Sequence, residues 1–330
     1  MSYRAFLVTK SEDGTFTRAL VERELSELPE GEVLIDVEYS SLNYKDALSA
    51  TGNPGVSRNF PHTPGIDAAG CVAQSSVDTF AVGDQVIVTG YDLGMNTAGG
   101  FAQKIQVPAA WVIKKPEGLS LRAAMTYGTA GFTAALCVHK LEAFGMTPVQ
   151  GPVLVTGATG GVGSVAVSLL SKLGYHVVAV TGKADQTEFL EEIGAKDILT
   201  REQALEGSKK PLLKPVYAGV VDTVGGDLLA NGIKALKYGC SLAACGLAAS
   251  VEVPVTVLPF ILRHVNLIGI DSVELPLDQK QQIWNKLADT WSLENLETLC
   301  VELQLEDLDA ALDKILAGQM VGRGLVKINV

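Results

Sequence analysis

The sequence has no long uninterrupted apolar run and few cysteines. Its 330 residues include 5 cysteines. A membrane span needs about 18 consecutive apolar residues, and Gly, Pro or Lys interrupts the most apolar segments before that length. The first residues, MSYRAFLVTKSEDG, lack the basic start and the apolar stretch of a secretory signal. The cysteines are odd in number and mostly lie in apolar runs, as reduced core thiols do. We therefore expect a soluble, cytoplasmic protein.

Positive charge is also scarce. The 26 Lys and Arg residues against 37 Asp and Glu give a net charge of −11. The electrostatic field of a protein with this negative charge repels phosphate backbones and anionic lipid, so nucleic acid and membranes are not expected partners. An anionic ligand must then be held by a local cluster of donors. With 47% apolar and 19% charged residues, the chain is globular, and its length predicts about two domains of about 150 residues each.

The pattern of elements changes near Leu119. Before it, short β-branched or alternating runs separated by turn residues predict a mainly β unit, with strands at 5–8, 32–38, 70–73, 84–88 and 102–107. After a helix predicted over 121–145, apolar strands, glycine turns and helices alternate, which predicts a parallel sheet covered on both faces. The predicted strands of this sheet are 153–156, 176–181, 197–199, 218–222, 241–244 and 266–269.

The end of the chain returns to the first pattern. After a polar helix predicted at 278–293, a strand, a helix and a strand follow without a βαβ unit of their own. We expect this tail to complete the first domain. The predicted fold class is therefore α/β, with a β-rich domain of residues 1–122 and 300–330. A Rossmann doubly wound parallel sheet domain of residues 123–299 includes the trailing helical segment.

The most specific motif is a glycine turn between a predicted strand and a predicted helix. Residues 151–163 read GPVLVTGATGGVG, the dinucleotide fingerprint with Ala158 in place of its first glycine. Gly160 lets the backbone approach a pyrophosphate, and Gly163 lets helix and strand pack closely. Free amides at the helix start stabilise the pyrophosphate charge. The residues assigned to this contact are Thr159, Gly160, Gly161 and Val162.

The next strand ends without the acidic residue that an NAD site uses for the ribose 2′-hydroxyl. Thr181-Gly182-Lys183 stands there instead, and Arg201 follows the third strand. A hydroxyl, a glycine amide and an ammonium suit a 2′-phosphate, with Arg201 as a second cation. The expected cofactor is NADP(H), although Lys183 by itself is also compatible with a solvated lysine at a helix start.

Several further motifs carry a family resemblance across essentially the whole chain. The chain resembles the medium-chain dehydrogenase/reductase superfamily, with its GroES-like catalytic domain, and within it the YhdH/YhfP branch of NADPH-dependent acrylyl-CoA reductases, also described as quinone oxidoreductases. The motifs are SSLNYKDA at 40–47, RNFP at 58–61, PGID at 64–67, GTAGFTA at 128–134, DTVG at 222–225, ACGLA at 244–248 and PFILR at 259–263.

The resemblance implies a reaction without zinc. Zinc-containing members place a Cys where this chain has Asn43-Tyr44, and a His-Glu pair after a glycine where this chain has Gly65-Ile66-Asp67. The segment 91–100 also lacks the cysteines of a structural zinc lobe. No metal is therefore predicted. The histidines, scattered among dissimilar contexts, are His62, His139, His176 and His264.

The resemblance also implies the catalytic residues. Tyr44 would contact the nicotinamide or supply a proton to the substrate α-carbon, and Asn43 would hold a cofactor or substrate oxygen. Asp67 would either orient a loop or move a proton. Each has a structural alternative: packing for Tyr44, an Asx turn for Asn43 and a buried ion pair or hydrogen bond for Asp67.

Further residues are assigned to ligands in the same way. Thr129 and Thr133 would bond the cofactor, with helix capping as the alternative for Thr129. Leu247 and Ile270 would line the nicotinamide pocket or be plain core residues. The cations assigned to substrate phosphates, each also compatible with a plain surface position, are Lys45, Arg58 and Arg323.

Three functions stay open at this point. The first is an NADPH-dependent reductase of acrylyl-CoA or a similar short enoyl-CoA, the second is an NADPH:quinone oxidoreductase, and the third is a non-catalytic NADPH-binding or structural protein. The segment Asn266–Ile270 resembles the edge strand that pairs subunits in this superfamily. We therefore expect a homodimer that acts on a small-molecule substrate.

Overall fold

The computed structural model describes residues 2–329, which form two compact units. Unit 1 contains the described residues up to Thr129, Val273–Asp289 and the chain from Cys300 onward. Unit 2 contains Ala130–Ser272 and Thr290–Leu299.

The first part of unit 1 is mainly β. Side chains that alternate along β3 supply its core: Val33, Ile35 and Val37 are buried against strands of the same sheet. The strands are β1 (Ser2–Lys10), β2 (Phe16–Glu24), β3 (Val33–Leu42), β4 (Asp67–Ser75), β5 (Gln85–Thr89), β6 (Lys104–Val107) and β7 (Val112–Lys114), and the helices are α1 (Tyr44–Ala50) and α2 (Leu121–Ala143). The sequence patterns did not predict β2, β7 or α1. Helix α2 continues into unit 2.

Unit 2 contains a parallel sheet with the strand order β10-β9-β8-β11-β12-β13, which is the Rossmann order. Its strands are almost continuously apolar because helices cover both faces. The elements are β8 (Val153–Thr156), α3 (Gly161–Lys172), β9 (Val177–Thr181), α4 (Thr187–Glu192), β10 (Asp197–Thr200), α5 (Arg201–Ala204), β11 (Tyr217–Asp222), α6 (Gly226–Lys234), β12 (Leu236–Ala244), α7 (Leu258–Arg263) and β13 (Asn266–Gly269). The predicted α/β fold class is confirmed.

The end of the chain closes the sheet of unit 1. Strand β15 pairs antiparallel with β3 and parallel with β14, which gives the order β14-β15-β3-β4-β5-β7, with β6 also paired to β3. The elements are α8 (Leu277–Ala288), β14 (Cys300–Gln304), α9 (Leu308–Leu316) and β15 (Arg323–Lys327).

The unit boundaries differ from the predicted domains. Unit 1 extends to Thr129 rather than residue 122, and it includes α8, which was assigned to the Rossmann domain. One contact that holds α8 in unit 1 comes from a buried lysine: Lys280 is fully buried, and its Nζ donates to the carbonyls of Thr89 (2.7 Å) and Val273 (2.9 Å). The same Nζ lies 3.5 Å from the ring centroid of Tyr91. Hydropathy assigns such a residue to a surface, whereas here it anchors α8 to unit 1.

Within residues 2–329, no helix is both long enough and apolar enough to span a membrane.

Candidate functional site

The glycine turn of unit 2 has the geometry of a phosphate-binding loop. It follows β8, and Gly160 occupies the N-cap of α3. Gly157 has φ +60°, and its carbonyl accepts a hydrogen bond from the Gly160 amide at 2.9 Å. A Cβ at Gly163 would lie 2.2 Å from the Gly157 oxygen, so only glycine fits where the helix crosses the turn. The first amides of α3, at Gly161 and Val162, have no acceptor within the helix and suit an anion.

Two cations converge at the end of β9, beside this turn. A Cβ at Gly182 would lie 2.7 Å from Cζ and Nε of Arg201, so the guanidinium packs directly over the glycine. The Lys183 amide donates to Thr181 Oγ1 at 3.0 Å, and that hydroxyl lies 3.3 Å from Thr159 Oγ1. Burial and then the nearby Arg201 charge lower the pKa of Lys183, while Asp185 opposes the shift. This grouping of positive charge suits a doubly charged phosphate.

The remaining predicted cofactor residues of unit 2 occupy different environments. Thr133 is buried, and its hydroxyl donates to Ser272 Oγ at 2.8 Å. Leu247 is 64% exposed in the loop after β12. Ile270 is half-buried, and its amide donates to the Ala244 carbonyl at 3.0 Å.

Unit 1 contains a buried network centred on Asp67. This carboxylate is fully buried at the start of β4 and accepts four hydrogen bonds. Oδ2 accepts from Ser41 Oγ (2.5 Å), Asn43 Nδ2 (2.8 Å) and the Thr129 amide (2.8 Å), and Oδ1 accepts from Thr129 Oγ1 (2.5 Å). The network therefore joins the end of β3, the turn before α1 and the middle of α2. Asn43 is 7% exposed, and its side-chain amide nitrogen is committed to this network.

A glycine lets α2 approach this network. Gly128 interrupts the helix with φ 51° and ψ −162°, which frees the next amide, that of Thr129, for the Asp67 carboxylate. A Cβ at Gly128 would lie 2.3 Å from Ser41 Oγ and 2.7 Å from Arg323 Nη2. Glycine is thus required both for the backbone angle and for the close contact. The Asp67 carboxylate lies at the N-terminus of the second half of α2, where the helix dipole stabilises negative charge.

Arg323 corrects one of the predictions. It was assigned to substrate phosphates, but it is 2% exposed, and all three guanidinium nitrogens donate within unit 1. Nε donates to the Thr126 carbonyl (3.0 Å), Nη1 to the Leu42 carbonyl (3.3 Å) and Nη2 to Ser41 Oγ (3.0 Å). Burial lowers the pKa of Arg323, whereas Asp67 and then Asp46 raise it. Arg323 is therefore an internal counter-charge, and we no longer assign it to a substrate.

Asp46 belongs to the same buried group and was not singled out from the sequence. It is fully buried in the first turn of α1, where Oδ2 accepts from the Asn43 amide (2.8 Å) and Oδ1 from the Ile66 amide (2.9 Å). Burial, and then the Asp67 charge, raise the pKa of Asp46 to about 7, although these amides oppose the shift. Its position three residues after Asn43 was the available signal, because acidic residues cap helix starts in this way.

The remaining predicted residues of unit 1 lie nearer the surface. Tyr44 begins α1 and is 50% exposed, so its ring can meet a ligand. Lys45 is half-buried, with its Nζ 4.0 Å from Met95 Sδ. Arg58 is exposed, and its Nε donates to the Pro54 carbonyl at 3.0 Å. Lys45 and Arg58 are both placed where an anion can reach them.

The donor set around Asp67 does not fit a zinc ion. Its neighbours are hydroxyls, amides and a guanidinium, whereas zinc requires deprotonated sulfur, imidazole or carboxylate ligands. His62 is 4% exposed and bonds the Gly94 carbonyl through Nε2 at 2.9 Å, and burial lowers its pKa. Across the described part of the chain, no three His, Cys, Asp or Glu residues are grouped as a metal site.

Matches to two family models, together with the fold, define the class of protein, a two-domain oxidoreductase of the alcohol dehydrogenase type. The family model described as the alcohol dehydrogenase GroES-like domain matches residues 29–117. The model described as zinc-binding dehydrogenase matches residues 161–289. The first match falls in unit 1, and most of the second falls in unit 2.

Individual relatives define the family more closely. The acrylyl-CoA reductase AcuI of Ruegeria pomeroyi is 46% identical over 99% of each chain. The crystal structure of the yhdH oxidoreductase from Salmonella enterica, in complex with NADP, has a TM-score of 0.96 at 44% identity and covers 100% of both chains. YhfP of Bacillus subtilis, provisionally named a quinone oxidoreductase, is 46% identical over 92% of each chain. Its structure with NAD bound has a TM-score of 0.97 at 43% identity, covering 99% of this chain and 100% of that one.

The chain therefore belongs to the medium-chain dehydrogenase/reductase family, in its YhdH/YhfP branch. The predicted family and enzyme class are confirmed.

Proposed function

We propose that this protein is an NADPH-dependent reductase that transfers hydride to the activated C=C bond of a short enoyl-CoA such as acrylyl-CoA, giving propionyl-CoA. The observation that carries the proposal is full-length similarity, at 46% identity, to an acrylyl-CoA reductase. The nucleotide loop of unit 2 and the exposed tyrosine beside the buried network of unit 1 are consistent with it.

The residues of unit 2 fit NADP(H). The pyrophosphate would lie against the Gly161 and Val162 amides at the start of α3, with the Gly160 backbone close to it. The ribose 2′-phosphate would face Lys183 and Arg201, where an acidic residue would otherwise favour NAD. When bound, NADPH supplies the hydride. Thr133, Leu247 and Ile270 remain proposed contacts of the nicotinamide end.

The predicted catalytic residues divide into two roles. Asn43 and Thr129 both donate to the Asp67 carboxylate, so we assign all three residues to positioning. Their bonds, together with the Asp46 cap on α1, fix the backbone that presents Tyr44. The exposed Tyr44 ring remains for contact with the nicotinamide or for proton delivery to the substrate α-carbon. A donor near the carbonyl oxygen would stabilise the charge that develops after hydride addition.

The substrate phosphates require cations at the surface. Of the residues predicted for this role, Lys45 and Arg58 are accessible, and we retain both. The compound bound at Lys45 and Arg58 would be a CoA thioester. These cations would offset the repulsion between its phosphates and a protein of net charge −11.

The alternative function is an NADPH:quinone oxidoreductase, which the name of YhfP favours. Steady-state oxidation of NADPH with acrylyl-CoA and with 1,2-naphthoquinone, measured side by side, separates the two. We expect a kcat/KM at least tenfold larger for the thioester, because the quinone has no phosphates for Lys45 and Arg58. Equal or faster turnover of the quinone would favour the alternative, and turnover of neither would favour a non-catalytic binding protein.

Two broader properties complete the proposal. Strand β13 lies at the edge of its sheet, and Ile261, Leu262 and Leu267 near it are 69%, 58% and 42% exposed, which supports a homodimer through this edge. Light scattering should then give twice the chain mass of 34.8 kDa, and a monomer mass would exclude the dimer. We also propose a cytoplasmic location, consistent with five cysteines that are all free thiols.

A further inference from the structure

A cavity in unit 2 is lined by cations. It has a volume of about 400 Å³, which is within the range of small-molecule sites. Lys209, Lys210 and Lys234 contribute to its lining, and residues 253–255 add an apolar wall of two valines and a proline. None of the described residues that line it is acidic. Three ammonium groups without a carboxylate stand out in a chain of net charge −11.

The cavity is separate from the nucleotide loop. Lys234 ends α6, two residues before β12 begins, so the cavity adjoins the amino end of a sheet strand. The glycine turn and the Lys183 group follow the carboxyl ends of β8 and β9. Because all strands of this sheet are parallel, these are opposite ends of the sheet.

Lys234 is buried without a counter-charge. It is 7% exposed, and its Nζ donates to the Ser208 carbonyl at 2.8 Å. Within residues 2–329, no carboxylate forms an ion pair with it. An ammonium has three N–H groups, and a buried charge is costly unless it is paired. The Ser208 carbonyl satisfies one of these groups, so an anion in the cavity would bring both the missing charge and the missing acceptors.

The loop that presents the other two lysines is held in place. Arg263 donates through Nη1 to the Lys234 carbonyl (2.7 Å) and through Nη2 to the Leu213 carbonyl (2.5 Å). The Leu213 amide donates to the same Lys234 carbonyl at 3.1 Å. These hydrogen bonds fix the loop against the end of α6. The backbone therefore places the exposed Lys209 and Lys210 beside the buried Lys234 in the absence of a ligand. Such preorganisation lowers the entropic cost of binding.

We infer that this cavity binds a phosphate-bearing anion, with its phosphate at the three lysines and its less polar part against residues 253–255. The phosphate could be carried by a CoA compound or by a free nucleotide. The inference is independent of the reaction proposed above, because it rests on residues that the reaction does not use.

The test is calorimetric titration of the NADP⁺-saturated protein with inorganic pyrophosphate. Saturation keeps the probe out of the nucleotide loop. The variant Lys209→Gln/Lys210→Gln removes two exposed charges and should leave the fold intact. Its matched control is Lys172→Gln/Lys196→Gln, which removes two exposed lysines of unit 2 outside the cavity.

We expect the wild-type protein and the control to bind pyrophosphate with dissociation constants within twofold of each other. The cavity variant should bind at least tenfold more weakly, and Lys234→Met should weaken binding further. Titration with CoA and with ADP then identifies the source of the phosphate. The compound class that occupies the cavity should bind the cavity variant at least tenfold more weakly than the wild type, as pyrophosphate does. Absence of pyrophosphate binding, or equal loss in both double variants, would overturn the inference and leave Lys234 as a cation that stabilises the end of α6.

Discussion

The buried charge of Asp67 should stabilise unit 1 chiefly through its attraction to the Arg323 charge, which lies on the other side of the shared Ser41 hydroxyl. The substitution Asp67→Asn isolates that contribution. An asparagine whose carbonyl takes the place of Oδ2 keeps the hydrogen bonds from Ser41, Asn43 and the Thr129 amide. Its Nδ2 would face Thr129 Oγ1, which can rotate and accept. The hydrogen bonds thus survive, and the negative charge beside the fully buried guanidinium is lost.

The size of the effect follows from this geometry. Removing one partner of a direct buried ion pair costs about 3–5 kcal/mol. The loss here should lie at the low end of that range, because Ser41 Oγ stands between Asp67 and Arg323. Asp46 offsets part of the loss, because the Asp67 charge contributes to its raised pKa and its ionisation becomes easier without that charge. We therefore expect about 3 kcal/mol, at the lower end of that range. Since roughly 1 kcal/mol shifts the melting temperature of domains of this size by about 2–4 °C, the shift should be about 6 °C or more.

Differential scanning calorimetry measures this shift. The matched control is Asp36→Asn, which removes a half-exposed carboxylate paired with Lys104 and should change stability by about 1 kcal/mol or less. If Asp67→Asn and Asp36→Asn have the same melting temperature, Asp67 does not serve as the counter-charge of Arg323.

Three further predictions concern single residues. Gly128→Ala places a Cβ 2.3 Å from Ser41 Oγ and should lower the melting temperature. The control is Gly174→Ala, where φ is +83° but no atom lies within 4 Å of the added Cβ, and its melting temperature should fall less. Equal losses would contradict the argument from close contact. The pKa of Asp46 rises from 3.8 to about 7 on folding, so its protonated form stabilises the fold below about pH 4 and this contribution is lost as the pH rises through about 7. Urea unfolding across this range should show that decline, and Asp46→Asn should flatten it; an unchanged slope would exclude Asp46 as its source. Lys183→Ala should raise the KM for NADPH about tenfold or more, since a charge-assisted bond contributes about 1.5–3 kcal/mol, while the KM for NADH stays the same; unchanged cofactor preference would refute the role of Lys183.

Much of the fold could be predicted from local patterns. The strands at Val153–Thr156 and Asn266–Gly269 have the predicted bounds, because apolar runs bounded by turn residues specify buried parallel strands. The glycine turn could be predicted as well, since the steric need at Gly163 follows from the motif itself. These features depend on residues close together in the sequence.

The errors about Lys280, Arg323 and Asp46 share a physical cause, which is burial of charge. Lys280 and Arg323 are long cations that hydropathy places on a surface, yet carbonyl acceptors and aromatic or anionic neighbours hold both inside unit 1. Asp46 was missed for the same reason. Asp46 did have a local signal, its position three residues after Asn43. The acceptors of Arg323 lie far away in the sequence, as does the Thr89 carbonyl that Lys280 binds, so no local pattern indicates them. This is why the Tyr44 and Asp67 region was predicted as a catalytic group, whereas its internal pairing required the structure.

Transfer of deuterium from the reactive face of [4-²H]NADPH to acrylyl-CoA tests the proposed reaction most directly. We predict propionyl-CoA with one deuterium at the β-carbon, located by fragmentation in the mass spectrometer. Oxidation of NADPH that leaves the thioester unreduced, or a label found elsewhere than at the β-carbon, would contradict hydride transfer to the activated alkene.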